Sequence, residues 1–206
     1  MTFVRIAVLL CACFVSNLNF SGSANAQSLS TASKGAEISV FGGYVAGPPD
    51  YGPNAKKGVS AGGDFTIFPR FILKPSFEVR GNELASTYVT EKTVLFGGRA
   101  QIDLRDRFHP YGDFLLGGGE IIYHPNPAPG YTGDRSRVYS YGGGINIDIA
   151  HHFAAKFDFQ QQSWNLGQNS QAVPGGGNFT LSPRLFMAGV TYTLPFRFLK
   201  RSSDYR

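Results

Sequence analysis

The sequence predicts an all-β protein, an eight-stranded antiparallel up-and-down β-barrel that spans a membrane and is preceded by a cleavable signal peptide. Three observations predict this fold. Eight runs of residues alternate apolar with polar or small side chains, the links between the runs alternate between short and long, and the first residues have the composition of an export signal. Alternation with a period of two is the pattern of a β-strand with two different faces.

The predicted signal peptide covers residues 1–26. Arg5 supplies its positive charge, residues 6–15 are apolar, and Ala24-Asn25-Ala26 forms a cleavage site. The apolar run has about half of the ~20 residues that a membrane-spanning helix needs, so cleavage is favoured over an uncleaved anchor. We expect residues 27–35 to form a flexible segment, residues 36–198 the barrel, and residues 199–206 a C-terminal tail.

Composition excludes several classes of protein. Both cysteines, Cys11 and Cys13, lie in the signal peptide, so the mature chain can form neither a disulfide framework nor a thiolate site. The signal holds one of the 19 basic residues and none of the 14 acidic ones, which leaves a mature net charge of 18 − 14 = +4. Such a mild charge on an exported protein does not indicate a nucleic-acid partner.

The predicted strands are long, and their links differ at the two ends. The strands are residues 36–45, 58–67, 71–80, 90–104, 111–123, 138–150, 153–164 and 181–194. Most reach the ~9–11 residues with which a tilted strand crosses hydrocarbon. The links 68–70, 105–110 and 151–152 are short, whereas 46–57, 81–89, 124–137 and 165–180 are long. Short turns at one end and long loops at the other are typical of outer-membrane barrels.

The two faces of each strand predict its orientation. In residues 153–162 the apolar set is Phe153, Ala155, Phe157 and Phe159, and it alternates with Lys156, Asp158, Gln160 and Gln162. A soluble barrel would bury the apolar face. Export and the one-sided loops favour the inverse, with apolar side chains facing lipid and charges facing the lumen. Glycines recur within the strands, which allows tight bends in a narrow barrel.

Aromatic residues are expected to form two girdles at the membrane interfaces. The girdle at the short turns would contain Phe68, Phe71, Phe108, Tyr111, Phe153, Phe196 and Phe198, and the girdle at the loops Tyr44, Tyr88, Tyr123, Tyr139, Tyr141 and Trp164. The run 111–123 departs from simple alternation, because Asp113 and Glu120 fall on opposite faces. A one-residue slip exchanges the two faces of a strand, so a bulge is predicted near residues 117–119.

The last predicted strand carries a resemblance to a known family. Residues 187–194 read Met-Ala-Gly-Val-Thr-Tyr-Thr-Leu, which is similar from Gly189 onward to the barrel-assembly signal polar-x-Gly-x-x-aromatic-x-apolar. Met187 stands where a polar residue is usual, and the chain continues beyond Phe198. Over residues 36–198 the chain resembles the small outer-membrane β-barrel family, which includes the OmpA transmembrane domain, OmpX, OmpW and opacity proteins. The resemblance implies a bacterial outer-membrane location, contact with lipopolysaccharide and insertion by the barrel-assembly machinery. We expect this strand to pair with residues 36–45 and to close the barrel.

Charged residues on the inward faces are the candidate site. These are Glu37, Asp64, Lys74, Glu78, Arg80, Arg99, Asp103, Asp148, Lys156 and Asp158. The interior of an eight-stranded barrel is just wide enough for side chains to fill it, and charges removed from water must be paired. We interpret the set as a structural ion-pair plug. The alternative is a narrow porin, with an ion path past Arg99 and Lys156.

The expected function is a structural or surface role without catalysis, and no cofactor or metal is expected. The side chains of His151 and His152 diverge in a tight turn, which disfavours a metal site. The enzymatic alternative is a lipid A deacylase, which needs a serine nucleophile beside a histidine base. The His-Ser motif of such barrels is absent, and Ser163 and His124 lie on strands that are not neighbours. The Pro- and Gly-rich loops could instead recognise a surface ligand.

Overall fold

The computed structural model describes residues 36–48, 54–67, 72–105, 107–124, 132–166 and 179–195. The strands are β1 (Ala36–Gly47), β2 (Lys56–Ile67), β3 (Leu73–Ala85), β4 (Val89–Ile102), β5 (Phe108–Tyr123), β6 (Gly133–Ala150), β7 (Phe153–Leu166), β8 (Phe179–Leu181) and β9 (Arg184–Thr193). The predicted signal peptide, the segment 27–35, the tail, Phe68, Phe71, Phe196, Phe198 and the Pro- and Gly-rich centres of three loops lie outside the described residues. Among the described residues, no helix is long and apolar enough to cross a membrane.

The strands form a closed antiparallel barrel. Each of β1 to β7 pairs with the next in sequence, β7 also pairs with β9, and β9 pairs with β1. The expectation that the last strand closes the barrel is confirmed, with Gly43 opposite Gly189 at the seam. Over the paired residues of β1, β7 and β9, closure removes the free strand edges that can template aggregation.

The eighth strand position of the barrel wall is formed by two strands, β8 and β9. The predicted run 181–194 is interrupted at Ser182-Pro183, so β8 and β9 both pair with β7. Proline has no N–H to donate to a ladder, which ends pairing on one side. The carbonyl of Pro183 still accepts a hydrogen bond of 2.9 Å from the Gln162 N–H, and this bond keeps the chain on the wall.

The connection between β3 and β4 is short, in contrast to the predicted loop 81–89. Strand β3 continues to Ala85 and β4 begins at Val89. Asn82 and Leu84 keep the inward phase of the strand, and Asn82 Nδ2 donates to Thr93 Oγ1 over 2.9 Å. Long connections therefore remain at three of the four links at this end. We call this end, reached by Gly47, Tyr123 and Leu166, the loop end, and the opposite end the short-turn end.

The wall of the barrel is apolar outside and polar inside over much of its height. Phe157 is 50% exposed and Val94 is 61% exposed, whereas Lys156 on the opposite face of β7 is fully buried. The predicted orientation of the strand faces is therefore confirmed. A soluble barrel has the opposite arrangement, and an apolar outer band is what lipid requires.

Strand β5 is regular, so the predicted bulge near residues 117–119 is wrong. The strand pairs without interruption with both β4 and β6. Glu120 lies on the outer face at the loop end, where its Oε1 is 3.0 Å from Arg135 Nη2. The register irregularity lies instead between Asp148 and Ala150, beside the β6–β7 turn.

Three aromatic side chains predicted at the membrane interfaces face the lumen. Tyr44, Tyr139 and Tyr141 are exposed near the loop end as expected, but Tyr111 and Trp164 are 7% and 0% exposed. Tyr123 is partly buried and packs against the apolar residues around Trp164. All three occupy the inward phase of their strands. Gly119 makes room for the indole ring, because a Cβ at this position would overlap the Trp164 ring.

Candidate functional site

An ion-pair layer occupies the middle of the lumen and is centred on Arg80. Its Nε donates to Glu78 Oε1 over 2.7 Å, while Nη1 and Nη2 donate to the two oxygens of Asp158 over 2.9 and 2.8 Å. The bond to Asp158 is the bidentate arrangement in which arginine binds a carboxylate most specifically. Arg80 thereby joins β3 to β7 across the barrel interior.

A second arginine lies in the same layer. Arg99 Nη1 donates to Asp64 Oδ2 over 2.5 Å, and Nη2 donates to Gln101 Oε1 over 2.9 Å. The guanidinium carbon is 3.7 Å from the centre of the Tyr111 ring. The Tyr111 hydroxyl in turn donates to Asp158 Oδ2 over 2.5 Å, so the two arginine groups are connected.

Lys156 completes the layer without an ion pair to a described carboxylate. Its Nζ is 4.2 Å from the centre of the Phe41 ring and 4.4 Å from that of Tyr111, and it makes no hydrogen bond with a described residue. An ammonium group over aromatic faces is stabilised by the ring quadrupoles. Asp113, which accepts two 2.9 Å hydrogen bonds from Gln160 Nε2, brings the layer to three cations and four carboxylates.

The lumen toward the loop end is filled by apolar side chains, so the interior is not polar over its whole height. The cluster contains Val89, Leu95, Leu115, Ile121, Val138, Trp164 and Leu166. The sequence carried a signal for it: Leu95 stands between Val94 and Phe96, and Ile121 precedes Ile122. Consecutive apolar residues in a strand place apolar groups on both faces, and one of these faces is the lumen.

A second buried ion pair lies at the loop end. Both carboxylate oxygens of Glu91 are 2.9 Å from Lys56 Nζ, and each residue is 1% exposed. Sequence reasoning missed this pair because it began the second strand at residue 58 and left Lys56 in a loop. Glu91 shares the inward phase of Arg99 on β4, and this phase was the signal that could have identified it.

Four predicted site residues lie at the short-turn end of the lumen rather than in the buried layer. Lys74 contacts Asp103, and Glu37 is partly buried near the start of β1. His109 lies between two carboxylates, with Nδ1 2.8 Å from Asp103 Oδ1 and Nε2 3.1 Å from Asp148 Oδ2. Partial burial raises the pKa of Asp103, but hydrogen bonds from Lys74 and His109 outweigh it and hold this pKa below its ordinary value.

The candidate catalytic pair does not come together. Ser163 lies opposite Tyr139 in the β6–β7 ladder, on the outer wall. His124 Nε2 is 3.3 Å from the Thr90 hydroxyl at the end of the β4–β5 ladder. In the part of the chain that the structure describes, no group of three His, Cys, Asp or Glu side chains is arranged to hold a metal ion.

These features define the class of the protein. The wall closes through eight antiparallel strand positions, with an apolar outer band and buried ion pairs inside. This is the architecture of a small transmembrane β-barrel of the outer-membrane type.

Known proteins similar to this chain are found among solved structures. No family model and no curated protein sequence matches the chain. Among solved structures, Neisserial surface protein A is similar with 12% identity and a TM-score of 0.47, covering 79% of this chain and 97% of that one. Ail of Yersinia pestis, solved with the heparin analogue sucrose octasulfate, is similar with 11% identity and a TM-score of 0.47, covering 77% and 99%. The outer membrane protein AlkL is similar with 13% identity and a TM-score of 0.46, covering 86% and 98%. At such identities and TM-scores these similarities carry no argument about the role of this chain, which has to be inferred from its own residues.

Proposed function

We propose that the protein is a bacterial outer-membrane surface protein, in which a closed barrel anchors the loops and no reaction is catalysed. The observation that carries this proposal is the filled lumen. The ion-pair layer centred on Arg80 bridges opposite walls of the barrel, and the apolar cluster around Trp164 fills the interior toward the loop end. A lumen that is filled by interlocked side chains supports an anchor over a pore.

The proposed location and partners rest on the predicted export signal and on the layout of the barrel. They are the lipids and lipopolysaccharide of the outer membrane, the machinery that inserts barrels, and a surface ligand held by the loops. The outward position of Ser163, on a different part of the wall from His124, supports the absence of a deacylase site.

Planar-bilayer recording tests the closed lumen. We expect the wild-type barrel to insert without steady conductance. The control is Lys92→Gln, which removes one cation from the outer wall and leaves the lumen unchanged. A steady wild-type conductance that changes in Arg99→Ala or Lys156→Ala, but not in the control, would establish the narrow porin instead. Release of fatty acid from lipopolysaccharide that is lost in Ser163→Ala would overturn the non-catalytic role.

A further inference from the structure

The charged residues on the outer wall of the barrel lie on one side of the membrane band. The outward-facing charged positions of the described strands are Lys57, Glu83, Lys92, Glu120, Arg135, Arg137 and Arg184. All seven are at the loop end. Toward the short-turn end, the outward positions of these strands hold residues such as Ile67, Ile102 and Phe153, and none is charged.

Part of this charge is neutralised within the wall. Strand register places Glu83 opposite Lys92, Lys92 opposite Glu120, and Glu120 opposite Arg135. Lys92 Nζ is 3.3 Å from Glu83 Oε1, and Arg135 Nη2 is 3.0 Å from Glu120 Oε1. In this alternation of charges across β3 to β6, each of the two cations is paired with one of the two carboxylates.

Two arginines beside this ladder have no carboxylate partner among the described residues. Arg137 makes no ion pair with a described residue, and Arg184 Nε donates to the neutral Gln161 Oε1 over 3.2 Å. Arg137 is on β6 and Arg184 is on β9, the two strands that flank β7. Register places Val138 opposite Trp164 and Arg184 opposite Gln161, so Arg137 lies about four residues farther toward the loop end than Arg184. With about 10 Å between strands two places apart and about 3.3 Å per residue along a strand, the two Cα atoms are about 16 Å apart. Two extended arginine side chains directed toward each other can both reach one phosphate over this distance.

The surface between the two arginines is polar and borders the apolar band. The outward residues of β7 at this height are Gln161, Ser163 and Asn165, which can donate hydrogen bonds without contributing charge. Directly toward the membrane centre, Phe159 and Phe186 contact each other with ring centres 5.0 Å apart. The arginines therefore lie where the headgroups of the adjoining leaflet begin.

We propose that Arg137 and Arg184 bind a phosphate of a phosphorylated glycolipid in the outer leaflet, of the lipid A class, over strand β7. The site rests on the proposed outer-membrane location. The guanidinium fork matches phosphate oxygens in geometry and charge, and the aromatic residues below it contact the acyl chains of the same lipid. The ladder from Glu83 to Arg135 is excluded as the site, because its cations are already paired.

Native mass spectrometry of the folded, detergent-solubilised barrel tests the site, with bis-phosphorylated lipid A and dephosphorylated lipid A as probes. A cation near an anionic lipid surface contributes about a fivefold change in affinity. Binding of the phosphorylated probe should therefore fall about fivefold in Arg137→Gln or Arg184→Gln, and about 25-fold in the double variant. Lys92→Gln is the matched control, because it removes the same charge at a paired position, and it should bind as the wild type does.

The outcomes separate this site from the proposed anchor role. Equal binding by the wild type and the double variant, equal binding of the two probes, or an equal loss in Lys92→Gln would each overturn the phosphate site. Conductance of the same preparations reports on the closed lumen independently of these results. Both arginines are exposed, so the barrel should stay folded when they are replaced. Heat-modifiable migration in gels checks that each variant is folded.

Discussion

Replacement of Arg80 by leucine should be the most damaging single change to the ion-pair layer. The side chain is 2% exposed and makes three charge-assisted hydrogen bonds of 2.7 to 2.9 Å. Its loss leaves Glu78 and Asp158 buried without their main cation. Breaking a buried ion pair by removing one partner costs about 3–5 kcal/mol of unfolding free energy, since the remaining charge is uncompensated.

Two further variants make the reasoning quantitative. Arg80→Lys keeps the charge but loses the bidentate fork, so it should cost less than Arg80→Leu. The double variant Arg80→Leu/Asp158→Leu removes one cation and one carboxylate together. It should be more stable than Arg80→Leu alone by at least about 1 kcal/mol, because contacting residues in one network are not additive. The exposed Arg137→Gln serves as the control and should change stability by less than about 0.5 kcal/mol.

Guanidinium unfolding in detergent micelles measures these differences. Trp164 is the only tryptophan of the chain and is fully buried in the lumen, so its fluorescence reports directly on loss of the filled interior. The reasoning would be refuted if Arg80→Leu unfolded together with Arg137→Gln. It would also fail if the double variant were less stable than Arg80→Leu, because the carboxylate would then not be the source of the cost.

Two other predictions concern the seam and the short-turn end. Gly43→Ala should reduce the folded fraction seen by heat-modifiable migration, because the added Cβ would lie 2.5 Å from the Ala188 carbonyl oxygen and 2.6 Å from Gly189 Cα. The control is Gly98→Ala, which should fold as the wild type does because no atom lies within 4 Å of the added Cβ. Equal folding of the two variants would contradict the close seam. Since the pKa of Asp103 is lowered in the folded state, the stability it contributes is present above the ordinary Asp pKa and is lost as the pH falls below about 4. Lys74→Met should raise the pKa of Asp103, as measured by NMR titration of its carboxyl group. The control Lys92→Met, at the loop end, should leave the pKa of Asp103 unchanged. An unchanged pKa in Lys74→Met would show that Lys74 is not a cause of the shift.

Much of the barrel could be predicted from local pattern. The period of two in runs such as 153–162 determines that Phe157 and Lys156 face opposite sides, whatever the neighbouring strands are. The same alternation predicted the strand that closes the barrel. The predicted bulge failed because outward Glu120 was taken as a break in alternation, and the predicted long link 81–89 failed because inward Asn82 continues the strand. Each finds a partner on a neighbouring strand, and such partners are invisible to a local pattern.

Local alternation in the sequence was enough to predict most of the strands, their two faces and the inward position of Arg80, Arg99 and Lys156. Which inward side chains meet depends on the assembled barrel. Arg80 and Asp158 are 78 residues apart in the chain, and their contact depends on the register of every strand pair between β3 and β7. The same summed register brought Trp164 over Gly119 and made the loop end of the lumen apolar. Alternation depends on one strand alone. The position of a side chain along the axis of a closed barrel depends on the register of all its strand pairs.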